Sequence, residues 1–339
     1  MVTIDDIQNA RNRINNSIET TPLLTSDRLN SALPFDLYVK AECLQRTGSF
    51  KFRGGCNAVF SIEDSTLPVI AFSSGNHAQA VALAARLSNR QATIIMPEDA
   101  PATKIAGTKS YGAEVVLYDR YTQSREEIGE KIASEQGAIL IRPYDNENVI
   151  AGQGTAGLEI CEQANARNIG IDHYISCCGG GGLLAGTAIA ISHHLPDIKL
   201  YSAEPEAFND TKLSLAAGKR LSNAPDARSI CDAIVTPCPG ELTFPILQKT
   251  GCSGLSAPDE DALHAMHIAW SYFKLTVEPG GAIALACALS PEFLSRFEGA
   301  GRRQTVVVML SGGNVDADMF TAALEQALRP LGLYPVWAV

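Results

Sequence analysis

From Pro68 onward the chain alternates short, unbroken runs of Val, Ile and Leu with longer Ala-rich stretches, and this rhythm constrains the fold more than any other feature. Residues 69–72, 93–96, 115–118 and 138–141 read as strands, with helices over 76–87, 102–111 and 122–134 between them. A second series follows: helix 153–166, strand 174–177, a glycine run, helix 183–194 and strand 200–203. Helices near 258–273 and over 280–289 precede strand 305–310 and helix 316–328. Strands without polar alternation suit a parallel sheet covered on both faces. The expected fold class is therefore α/β, as open twisted parallel sheets with helices on both faces, in two domains. The compact β-α run sets the expected boundaries, a small domain over 68–146 and a large one from 1–67 plus 147–339. Before it, Thr3 and Asp6 form a capping box, and Ile7, Ala10, Ile14 and Ile18 form one helical stripe that Thr21-Pro22 ends. Leu37, Val39 and Ala41 alternate as in a half-buried strand.

Composition narrows the function classes. A chain of 339 residues is too long for one small domain, and 46% hydrophobic with 19% charged residues is ordinary for a globular protein. A net charge of −10 weighs against nucleic-acid partners. Apolar stretches such as 282–289 are too short to span a bilayer, so no membrane partner is expected. The N-terminal Met-Val-Thr-Ile-Asp-Asp has neither a basic nor an apolar region, so a cytoplasmic protein is expected. Nine cysteines, none in a Cys-x-x-Cys pair, read as reduced thiols.

Four segments carry chemistry. In Ser49-Phe50-Lys51-Phe52, an amine between two phenylalanines would be desolvated, which lowers its pKa and frees it to condense with an aldehyde. The alternative is a surface lysine beside two core aromatics. Ser73-Ser74-Gly75-Asn76-His77 follows a strand and opens a helix, whose N-terminus holds carboxylates well. It could also be a simple cap. Cys177-Cys178-Gly179-Gly180-Gly181-Gly182-Leu183 lacks both the dinucleotide spacing and the Gly-Lys-Ser/Thr ending of a triphosphate loop, so it reads as a nest for one phosphate. Ser311-Gly312-Gly313-Asn314 again follows a strand. Ligands of open α/β sheets sit at the carboxyl ends of strands, so the last three segments can converge on one crevice.

These motifs, in this order along nearly the whole chain, resemble fold-type II pyridoxal phosphate enzymes of the serine/threonine dehydratase and serine racemase family, whose fold is tryptophan synthase β-like. The resemblance implies pyridoxal 5′-phosphate as cofactor and Lys51 as its Schiff-base lysine. Phe50 would lie beside it, Asn76 would bond the 3′ oxygen, Gly179, Gly180, Gly181, Gly182 and Leu183 the phosphate, and Ser311 the pyridine nitrogen. Ser73, Ser74, Gly75, Asn76 and His77 would receive the substrate carboxylate, and Arg125 a second acidic group. A solvated helix arginine is the alternative for Arg125.

Two further segments match. Glu204, Phe208 and Asp210 resemble a Mg²⁺ or Ca²⁺ site built from two carboxylates and a backbone carbonyl, against the alternative of an acidic surface turn. Glu278-Pro279-Gly280-Gly281 resembles the stretch beside the pyridine ring, but the family more often reads Glu-Pro-Thr/Ser-Ala-Gly, which leaves the role of Glu278 open.

The reaction implied is dehydration of a β-hydroxy amino acid such as serine, threonine or a 3-hydroxy analogue, giving a 2-oxo acid and ammonia. Lys51 would take the Cα proton. Ser311 on the ring nitrogen gives a hydrogen bond and no full charge, which favours loss of the β-hydroxyl. The alternative within the family is a serine or aspartate-type racemase, with Ser74 as acid/base on the opposite face. A nicotinamide-dependent oxidoreductase is the alternative outside it. A homodimer is expected by resemblance alone, and no regulatory domain is expected after Leu328.

Overall fold

The computed structural model describes residues 1–73, 75–100, 102–119 and 121–326. The first helix, Ile4–Ile14, carries the expected capping box, with the Asp6 carboxylate accepting the Thr3 backbone N–H at 2.8 Å. It stops before the apolar stripe does. Asn15, Asn16 and Ser17 follow, residues that compete for backbone hydrogen bonds, and Ile18 packs on the core from beyond the helix.

The strands are β1 Leu23–Thr25, β2 Asp36–Ala41, β3 Val69–Phe72, β4 Ala92–Pro97, β5 Glu114–Tyr118, β6 Ile139–Leu140, β7 His173–Cys177, β8 Lys199–Pro205, β9 Ser253–Ala257 and β10 Thr305–Leu310. They form a six-stranded sheet in the order β1-β2-β10-β7-β8-β9 and a four-stranded sheet in the order β5-β4-β3-β6. Every pairing is parallel except β1 with β2. The expectation of purely parallel sheets is corrected at that edge. Only residues 26–35 join β1 to β2, fewer than a parallel crossover needs. The two strands absent from the sequence reading, β1 and β9, are short or built from Ser and Gly.

Several helix bounds also move. Helix Arg125–Gln136 starts three residues later than the pattern suggests, because Ser124 caps it by accepting the Glu127 N–H at 3.2 Å. Helix Glu147–Ala166 starts six residues earlier, capped by Asn146 on the Val149 N–H at 3.0 Å. The stretch near 258–273 divides into helix Asp259–Ile268 and a wider π turn, Ala269–Phe273. The last described helix is Ala317–Glu325, and the expected end at Leu328 lies outside the described residues.

Helix Lys51–Phe60 is the element that the sequence pattern hid, since Gly54 and Gly55 resemble a break. The glycines instead permit close packing. A Cβ on Gly54 would lie 2.4 Å from Gln153 Nε2, and one on Gly152 would lie 2.6 Å from the Arg53 carbonyl. Buried charges lock the same two helices. Arg53 Nε meets Glu42 at 2.7 Å, Arg53 Nη1 meets Glu159 at 2.7 Å, and Lys40 Nζ meets Glu159 at 2.6 Å. Two cations balance two anions, so breaking one member leaves a buried charge uncompensated, at a cost of about 3–5 kcal/mol. The network fixes the helix that begins with Lys51.

Candidate active site

The carboxyl ends of β3, β7 and β10 open on one crevice, whose wall includes Lys51, Asn76, Gly179 to Leu183, Glu278 and Ser311. Lys51 opens its helix and turns its amine into this crevice, while Phe52 points into the core at 0% exposure. Lys51 Nζ lies 5.2 Å from the Phe50 ring centroid and donates to the Pro143 carbonyl at 3.1 Å. Burial pulls its pKa down to about 8, and the Cys177 thiol and the Glu278 carboxyl offset part of that. The lysine is therefore the desolvated amine that the flanking phenylalanines suggested, not a surface residue.

The glycine run bridges β7 and helix Gly182–His194. Gly181 has φ +90°, a conformation that side chains rarely adopt. A Cβ on Gly180 would come within 2.3 Å of the Tyr144 ring. Thr243 Oγ1 donates to the Gly180 carbonyl at 2.6 Å, which turns that carbonyl away. Among the described residues no acceptor meets the backbone N–H groups of Gly179 to Leu183. Unpaired amides at a helix N-terminus make a cradle for an anion.

An amide chain closes another side. Asn314 Nδ2 donates to Asn76 Oδ1 at 2.7 Å, and Asn76 Nδ2 donates to Glu278 Oε1 at 2.6 Å. Glu278 is 3% exposed, and burial, aided by repulsion from Asp232, pushes its pKa up to about 7. Ser311 is buried directly after β10, and its hydroxyl accepts from Cys177 Sγ at 3.1 Å.

The substrate-loop residues divide. Ser73 Oγ accepts the Gly75 N–H at 3.2 Å and shapes the turn before helix Asn76–Leu87. Ser74 lies outside the described residues. His77 is buried, and its Nε2 lies 2.9 Å from the Ile141 carbonyl, so Nε2 carries the hydrogen. Burial lowers its pKa to about 3, which makes it a neutral side chain and not a cation for a carboxylate. Arg125 is exposed at the start of its helix, yet its guanidinium lies 5.1 Å from the Phe72 ring centroid and lines the crevice. It is at once a helix arginine and a crevice cation.

Sequence reasoning missed Lys104, Tyr144, Cys177 and Asp232 as wall residues. Lys104 Nζ meets Asp232 at 3.0 Å across the mouth. The Pro143-Tyr144 turn directly after β6 was a usable signal, since it too follows a strand of the parallel sheet. Nothing in the sequence marks Lys104.

The acidic segment forms a separate pair. Glu204, at the carboxyl end of β8, accepts the Thr211 and Lys212 N–H groups, each at 2.8 Å. Asp210 Oδ1 accepts from Asn223 at 2.5 Å, while its buried Oδ2 has no partner among the described residues. Burial first, then the nearby Asp210, pushes Glu204 up to about 8, and burial pushes Asp210 up to about 6. Both are buried, so the surface-turn alternative does not hold. Phe208 lies between them in the single turn Glu206–Phe208. Among the described residues no three His, Cys, Asp or Glu side chains gather as a metal cluster.

A family model described as "Pyridoxal-phosphate dependent enzyme" matches residues 14–312. The chain belongs to the pyridoxal-phosphate dependent enzymes. Family membership replaces the nicotinamide alternative. An L-threo-3-hydroxyaspartate ammonia-lyase of Saccharomyces cerevisiae is 43% identical over 326 residues, covering 95% of this chain and 96% of that protein. A serine racemase of Schizosaccharomyces pombe is 36% identical, covering 96% and 98%. Among solved structures, a threonine deaminase from the source abbreviated T.th. superposes with a TM-score of 0.85 at 42% identity, covering 93% of this chain and 99% of that one. Maize serine racemase superposes at 0.88 with 36% identity, covering 95% and 97%. The fold is thus the fold-type II arrangement expected from the motifs.

The residues present fit the family's cofactor. The glycine cradle would hold a phosphate, and side chains would intrude on it at Gly180 and Gly181. A lysine amine with a pKa near 8 faces the same crevice, as an aldehyde requires.

Proposed function

We propose that this enzyme dehydrates an L-β-hydroxy amino acid to a 2-oxo acid and ammonia. The observation that carries the reading is one desolvated amine, Lys51 Nζ, sharing a crevice with an anion cradle and with a neutral hydroxyl, Ser311. When bound, pyridoxal phosphate supplies an aldehyde for an amine and a ring that takes up the electron pair released at the substrate Cα. Lys51 would anchor the aldehyde and, once displaced by the substrate, remove the Cα proton. Gly179, Gly180, Gly181, Gly182 and Leu183 would hold the phosphate by backbone N–H groups. Asn76, fixed between Asn314 and Glu278, would orient the ring oxygen. A serine at the ring nitrogen would add a hydrogen bond without a full charge, which favours prompt loss of a β-hydroxyl. The N-terminus of helix Asn76–Leu87, with Ser73 and Gly75, would receive the substrate carboxylate.

Within this class we favour a substrate with a second carboxylate, such as L-threo-3-hydroxyaspartate. Arg125 and Lys104 are cations on the crevice wall beyond Lys51, and two relatives at 43% and 40% identity bear that ammonia-lyase name. A serine or aspartate-type racemase activity is the second reading, favoured by the serine racemase relatives and by a hydroxyl at Ser74. Glu204, Asp210 and the Phe208 carbonyl would take Mg²⁺ or Ca²⁺, an assignment supported by the unpartnered Asp210 Oδ2. We further propose residues 68–146 as a small domain inserted in the large one, a homodimer, and a cytoplasmic location. No helix among the described residues is long and apolar enough to cross a membrane.

The test is a panel of L-threo-3-hydroxyaspartate, L-serine and L-threonine, scoring 2-oxo acid, ammonia and product chirality. The hydroxyaspartate should give the highest kcat/KM. Cofactor-loaded enzyme that releases no 2-oxo acid from any of the three overturns the reading.

A further inference from the structure

A serine hydroxyl has one proton to donate, and which way it points depends on what the oxygen accepts. Ser311 backbone groups are both engaged, the N–H with the Gly281 carbonyl at 3.3 Å and the carbonyl with the Phe50 N–H at 3.0 Å. Its side chain has one neighbour of consequence, the Cys177 thiol at 3.1 Å. The pairing follows from sheet register. β10 lies beside β7 with Val308 opposite Ile175, so Cys177 and Ser311 emerge together at the carboxyl edge. Cys177 is 3% exposed, and burial holds its thiol up at about 11, so at neutral pH it keeps its hydrogen. With the S–H spent on the Ser311 oxygen, the Ser311 proton is left for the crevice.

We infer that Cys177 is a positioning residue, donating to Ser311 so that the Ser311 hydroxyl donates outward, to the ring nitrogen of the cofactor. The inference rests on the role proposed for Ser311. It assigns a use to a buried thiol that lines the crevice and has no part in holding the phosphate. A Ser311 without this donor would be free to rotate its proton away from the crevice.

The experiment compares holoenzymes carrying Cys177→Ala, Cys177→Ser, Ser311→Ala and the Cys177→Ala/Ser311→Ala pair. Alanine and serine are nearly equal in size, so the cavity is common to both and only the donor differs. The readouts are kcat, KM and the position of the bound cofactor's visible absorption band across pH. A weak S–H···O bond converts to about a two- to fivefold effect. Cys177→Ala should lower kcat by about that factor with KM unchanged and displace the band. Cys177→Ser should restore both, and Cys177→Ala should add nothing once Ser311 is alanine. Equal behaviour of the alanine and serine variants, or an effect of Cys177→Ala that persists in the Ser311→Ala background, overturns the inference. If Ser311→Ala alone leaves kcat and the band at wild-type values, the role of Ser311 fails and takes the inference with it. Should Cys177→Ala not fold, Cys177→Val against Cys177→Thr carries the same comparison in matched shapes.

Discussion

Loading of the apoenzyme with pyridoxal phosphate should titrate with Lys51, near pH 8 and not near 10.5. The amine sits against Phe50 in a crevice that removes water, and desolvation lowers its pKa from 10.5 to about 8. That drop corresponds to roughly 3 kcal/mol of penalty on the charged form. At pH 7.5 about a quarter of such amines are neutral, against about one in a thousand for an ordinary lysine. Condensation needs the neutral amine, so the loading rate should exceed that of a free lysine peptide by about two orders of magnitude at this pH. The assay is stopped-flow absorbance of apoenzyme mixed with pyridoxal phosphate between pH 6 and 10. The lysine peptide runs in parallel so that the cofactor's own ionisations cancel. The enzyme's loading rate, corrected for those ionisations, should level off above pH 8 and fall about tenfold per pH unit well below it. The sign of the stability effect follows from the same pKa. Between pH 8 and 10.5 the unfolded chain binds the extra proton, so apoenzyme stability contributed by this group should rise with pH through that window. A loading midpoint above pH 10 would refute the claim that Lys51 is desolvated.

Two other perturbations probe the cradle and the acidic pair. Gly180→Ala places a Cβ within 2.3 Å of the Tyr144 ring, and overpacking of this kind costs about 1–3 kcal/mol. The cofactor dissociation constant, read by absorbance titration, should rise by about one order of magnitude while the thermal transition stays cooperative. For Glu204 and Asp210, burial raises both carboxyls, to about 8 and about 6, so the native state holds protons that the unfolded state has lost. In EDTA the melting temperature should therefore fall from pH 6 to 9, and added Mg²⁺ or Ca²⁺ should restore it. A melting temperature indifferent to both pH and cation would remove the site.

The strand-helix rhythm made the architecture legible because unbroken Val/Ile/Leu runs have few other uses. The site was legible for a related reason. Gly179 to Gly182, Asn76 and Ser311 all follow strands of parallel sheets, so finding the strands placed them together. Helix Lys51–Phe60 was hidden because Gly54 and Gly55 serve close helix packing, a tertiary requirement that a local pattern reads as a break. Lys104 and Tyr144 reach the crevice from segments whose place depends on how the sheets face each other, and one-dimensional spacing does not carry that. His77 shows the converse. Its position was anticipated, but its burial, which removes its charge, was not.

The measurement closest to the central claim is borohydride reduction of the holoenzyme followed by peptide mass mapping. Reduction should fix the cofactor to a single side chain, Lys51, and no label should remain in Lys51→Ala. A label on any other lysine, or none at all in enzyme that carries cofactor and turns over substrate, would contradict it.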